Sequence, residues 1–240
     1  MRAVFMMLVC VVASLWVPVA PAASWPELPP PPRSDVQWVA EDMEFNGVPM
    51  QIRTFRSQVS MAEVLAFYRA RWSNAQRCEC VENRVGPYQQ IARGEGRYFY
   101  TVQVRPIDAG SSQGYIAVSV PTREVIKPGT GFPQLPATQV VNDIRTDDKE
   151  TTGRTLLMRN THSLPANISF YERELPLEGW QTVERMPKQG LARSLRFRRA
   201  AEEATLVFNQ YGKDTVIGAT VVRHRFAGES HARPPRAGVR

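Results

Sequence analysis

The chain has 240 residues, with 30 lysines and arginines against 23 aspartates and glutamates, and a formal net charge of +7. That balance favours anionic neighbours such as phospholipid headgroups, acidic glycans or an acidic protein face. Of its three cysteines only Cys78 and Cys80 lie beyond the apolar N-terminal run; they lack the distant partners of a disulfide framework and are too few for a structural zinc site of their own.

The N-terminus reads as an export signal. Arg2 is followed by an almost wholly apolar run from Val4 to Val19, and Ala20-Pro21-Ala22 fits a small-x-small processing site. Residues 1–22 are therefore expected to be removed near Ala22, leaving a periplasmic or secreted protein. No later stretch approaches the roughly 18 uninterrupted apolar residues of a spanning helix, so no transmembrane segment is expected in the mature chain. Residues 23–35 carry four consecutive prolines, Pro29 to Pro32. They predict an extended polyproline II spacer that stands off from the folded body.

Residues 36–120 predict a first α+β unit. Two strands over 36–45 and 48–55 flank Asn46-Gly47, a strong hairpin signal. A helix follows, with Met61, Leu65, Tyr68 and Trp72 on one face. Ser60 and Glu63 supply its capping box. Strands are then expected near 77–82, 88–93, 97–105 and 114–120. Within this unit Cys78 and Cys80 lie one residue apart, as a redox pair, a strained disulfide or two side chains on one strand face.

Residues 121–137, with prolines at 121, 128, 133 and 136, predict a linker. The elements then recur. Leu164, Ile168, Tyr171 and Leu175 repeat the first helix's apolar spacing 103 residues later, with Ser163 at the cap. The helix is expected to stop before Pro176. Strands over 139–145, 155–158, 180–185, 191–198, 205–211 and 216–222 complete a second unit over 138–226, and residues 227–240 form a basic tail expected to be disordered. The predicted fold is thus α+β: a tandem repeat of two ββαββββ units, each an antiparallel sheet covered by one helix.

Chemistry is sparse. His162, His224 and His231 are the only histidines. No nucleophile elbow, metal-ligand spacing or phosphate-loop motif accompanies them. We expect no catalytic residues, no metal and no cofactor. The most suggestive cluster is Arg193, Arg196, Arg198 and Arg199, in which alternation puts Leu195 and Phe197 on one strand face and Arg196 and Arg198 on the other. Paired guanidinium groups there could grip an anion or a partner. The expected role is non-enzymatic: an exported cell-envelope protein acting through protein–protein contacts, as an accessory or assembly component of a secretion or pilus system. The alternative is a module that binds an anionic glycan or lipid headgroup through the arginine strand. Envelope proteins are the expected partners, anionic lipid or glycan the alternative ones, and nucleic acid is not expected.

Overall fold

The computed structural model describes residues 25–73, 79–122, 127–148, 150–189 and 192–225. The expected signal peptide, the basic tail from 227 and Cys78 lie outside them. The first run of elements is β1 (Ser34–Phe45), β2 (Val48–Ser57), α1 (Met61–Arg71), β3 (Val81–Val85), β4 (Tyr88–Glu95), β5 (Tyr98–Pro106) and β6 (Ser112–Ser119). The second is β7 (Gln139–Asp147), β8 (Thr151–Asn160), α2 (Leu164–Leu177), β9 (Gln181–Gln189), β10 (Ala192–Arg199), β11 (Glu202–Tyr211) and β12 (Asp214–His224).

These strands do not form two sheets. All twelve join in one antiparallel sheet, ordered β3-β4-β5-β6-β2-β1-β7-β8-β12-β11-β10-β9. With 57% strand and 14% helix, the protein is mostly β, and the expected α+β tandem of separately covered sheets is corrected to a single continuous sheet. The correction rests on one joint. Met43, Glu44 and Phe45 of β1 pair with Thr146, Arg145 and Ile144 of β7. Just beyond the pairing, the Asn46 amide N–H donates to the Asp143 carbonyl at 2.8 Å, and the Asn46 side-chain oxygen accepts from the Asp143 N–H at 2.7 Å. The hairpin residue Asn46 (φ 49°) and Gly47 (φ 80°) adopt the left-handed conformations of a tight turn. The turn residue of one hairpin thus also fastens the two halves together.

Both hydrophobic clusters lie on one face of this sheet. Directly paired residues share a face, and Pro49, Glu44, Arg145 and Arg154 form one cross-strand row. Gln51 and Leu156, two residues along from the ends of that row, are therefore on the same side. Beneath α1, Val64, Leu65 and Tyr68 pack with Phe55, Val102 and Ile116. Beneath α2, Tyr171 and Leu175 pack with Leu156, Leu206 and Phe208. Each large side chain buried in this way contributes about 1.5–3 kcal/mol. The α1 start is capped as its sequence predicts: Ser60 Oγ accepts from the Glu63 N–H, and the Glu63 carboxylate accepts from the Ser60 N–H. The α2 helix continues through Pro176 to Leu177, two residues past the expected stop. Pro176 withholds one helical donor there.

The proline-rich leader does not stand off from the body. Leu28 is only 2% exposed and belongs to the cluster beneath α1. An extended proline segment makes no internal backbone hydrogen bonds, so its carbonyls need outside donors. Here Pro26 O accepts from Gln51, Leu28 O from Arg53, Pro29 O from the Tyr68 hydroxyl and Pro32 O from Ser57. The stretch expected to be a linker behaves similarly over the second cluster. Phe132 packs against Tyr171 with ring centroids 6.0 Å apart. Thr130 O accepts from Arg154 at 3.0 Å, and His162 Nε2 lies 2.9 Å from Pro136 O.

Candidate functional site

The helix-side face carries a cleft of about 400 Å³ next to the joint, between the end of α2 and strands β1, β7, β8, β11 and β12. Two cross-strand rows build its floor. One contains Glu44, Arg145, Arg154 and Val221. The other contains Asp147, Thr152, Arg223, Glu202 and Arg199. Met43, Phe132 and Trp180 add apolar wall. Basic and acidic side chains are therefore mixed along a groove that also offers aromatic surface.

Its charges are held firmly. Arg154 donates through Nε to Asp143 Oδ1 at 3.0 Å and through Nη2 to Asp143 Oδ2 at 2.8 Å. The Gly129 N–H donates to the same carboxylate at 2.8 Å. Burial pushes the Asp143 carboxyl upward, but Arg154, the Gly129 amide and Arg145 more than offset this and hold it below its ordinary value. Arg199 donates through Nε and Nη2 to Glu202 at 2.9 and 2.8 Å. Its Nη1 donates to the Glu178 carbonyl at the end of α2, and the guanidinium lies 4.4 Å from the centre of the Trp180 ring. That last arrangement is a cation–π contact combined with a helix C-terminus, both favourable for a cation. At the rim, Arg225 bonds to Asp147 and to the Asp148 carbonyl.

The arginines singled out from the sequence are not gathered into one site. Arg196 and Arg198 face away from the helices, and their nearest carboxylates are Glu184 at 3.7 Å and Glu203 at 2.7 Å. Arg193 and Arg199 fall on the helix side, in register with Phe208 and Glu202. Only Arg199 reaches the cleft. Cys80 is disulfide-bonded and packs against the first cluster.

Sequence reasoning missed Glu44, Arg145, Arg154 and Arg223. A signal existed at one of them: Arg154 alternates with Leu156 and Met158, which places an arginine on the core side of a strand. Among the described residues no group of three or more His, Cys, Asp or Glu is placed to hold a metal ion, and no helix is long and apolar enough to cross a membrane. Comparison of the chain with models of known protein families, with curated proteins and with solved structures finds no match.

Proposed function

We propose that the protein is an exported, non-enzymatic cell-envelope binding protein that holds a segment of a partner protein in the cleft beside the joint. An accessory or assembly role in a secretion or pilus system is the setting this reading suits. The carrying observation is the composition of the cleft. Arg145, Arg154, Arg199 and Arg223 are interspersed with Glu44, Asp147 and Glu202 beside Met43, Phe132 and Trp180. A polypeptide segment, with charges of both signs and apolar side chains, matches such a surface better than a purely anionic headgroup does. The alternative, an anionic glycan or lipid held by the arginine strand, has less support, because Arg196 and Arg198 each have a carboxylate partner.

The reading is tested by pull-down of the mature protein from its native envelope at low and high salt, comparing it with Arg145→Glu and Arg223→Glu variants. Stoichiometric protein capture that either charge reversal abolishes would support it. Capture unaffected by both reversals, or recovery of anionic lipid or glycan alone, would overturn it.

A further inference from the structure

The two halves of the sheet present matching cross-strand rows to their helices, and one position in these rows differs in kind. In the second half the row runs Arg154, Val221, Ala204, Phe197, and Phe197 is fully buried in the core beneath α2. In the first half the same row runs Gln51, Val118, Tyr100, Arg93. An arginine thus occupies the core-facing position that a phenylalanine fills on the other side.

Arg93 is poorly satisfied there. Its side chain is 21% exposed, and Nη2 reaches Glu79 only at 3.5 Å and Glu95 at 3.8 Å. Its Nε is buried and finds no hydrogen-bond partner among the described residues. Arg154 and Arg199 differ, because each has Nε and Nη2 seated together on one carboxylate. A buried guanidinium donor without an acceptor is costly, and it marks a place where a further acceptor belongs. Beside it opens a second, strongly polar cleft of about 440 Å³, lined among others by Glu27, Arg71, Trp72, Arg93, Glu95 and Tyr100. The leader closes one side of it through Glu27 to Pro29.

We infer that this cleft is an oxyanion site, in which the Nε and Nη2 edge of Arg93 takes two oxygens of a carboxylate or a phosphate group. That edge matches the spacing of paired oxygens. Arg71 supplies a second positive charge, and Tyr100 lines the same cleft. Glu27, Glu79 and Glu95 stand around these groups, so a polyanion is disfavoured. The site is separate from the cleft at the joint, and its ligand need not be part of the proposed partner.

The test is a titration of the full mature protein with N-acetylglycine and, separately, with inorganic phosphate, each against sodium chloride of equal ionic strength. The readouts are the ¹⁵N resonance of the Arg93 Nε and the thermal midpoint. The chloride reference and the variants separate binding from general salt effects. A saturable movement of that resonance is expected, with Tm rising about 3–5 °C at roughly tenfold excess over Kd. The Tm response should vanish in Arg93→Gln, which keeps a polar side chain without the fork, and in Arg93→Phe, which copies the other half. It should persist in Arg145→Glu, whose change lies at the other cleft. A response to N-acetylglycine alone assigns the site to carboxylates, and one to phosphate alone assigns it to phosphate groups. No response to either ligand in the native protein, or an undiminished response in both Arg93 variants, would overturn the inference.

Discussion

Replacement of Asp143 by alanine tests the buried ion pair beside the joint. The carboxylate accepts two charge-assisted bonds from Arg154 and one from the Gly129 amide. Removing it strands a guanidinium whose side chain is only 17% exposed. Breaking a buried pair by deleting one partner costs about 3–5 kcal/mol. Arg154 keeps some contact with water and its bond to Thr130 O, so we expect the lower end, about 3 kcal/mol. Equilibrium unfolding in urea at pH 7 measures it. The effect should also depend on pH. Because the folded carboxyl is held below its ordinary value, its contribution is complete above about pH 4 and is lost as pH falls through the lower folded value. The difference between native and Asp143→Ala proteins should therefore shrink in acid. A cost below about 1 kcal/mol at pH 7, or a difference that grows as the pH is lowered, would refute the reasoning about this buried pair.

Further outcomes follow from particular contacts. Tyr68→Phe should cost about 1–2 kcal/mol by urea unfolding, because the Tyr68 hydroxyl holds the Pro29 carbonyl. Tyr171→Phe should cost less than about 0.5 kcal/mol, since among the described residues that hydroxyl meets only the Met158 sulfur at 3.8 Å; equal costs would show that the leader is not anchored by Tyr68. Gly114→Ala should destabilise by about 1–3 kcal/mol, as an added Cβ would lie 1.8 Å from the Gln103 carbonyl oxygen; an unchanged urea midpoint would contradict the close approach of β5 and β6. Burial pushes the Tyr68 and Tyr171 phenols well above their ordinary value. Both should therefore stay neutral in the folded protein as exposed tyrosines ionise, which a spectrophotometric titration reads as a final step that coincides with unfolding.

The helices were legible because four apolar side chains at helical spacing recur 103 residues apart, from Met61 and again from Leu164. The core faces of the strands were legible from alternation, as with Leu195 and Phe197. The union of the sheets was not. It depends on three residue pairs between Met43–Phe45 and Ile144–Thr146 and on the side chain of Asn46, none of which alters any local pattern. Prolines 29 to 32 read as a spacer because composition reports stiffness but not docking. What docks the leader is Leu28 together with donors from Gln51, Arg53, Ser57 and Tyr68. For the cleft, the arginine run around residue 196 drew attention by density alone. Arg154 and Arg93, arginines on the core-facing side of their strands, were the more informative departures, since a charge on a buried face must be paired or used.

The central claim is that the cleft beside the joint receives a partner protein. A photoreactive phenylalanine analogue placed at Thr152, which lines the cleft, and separately at Thr155, which is exposed on the opposite face of the same strand, tests it most directly. The account predicts that position 152 crosslinks in the native envelope to one defined segment of one protein, that position 155 does not, and that Arg145→Glu abolishes the crosslink. Equal capture from both positions, capture from position 155 alone, or crosslinks from position 152 only to lipid would contradict it.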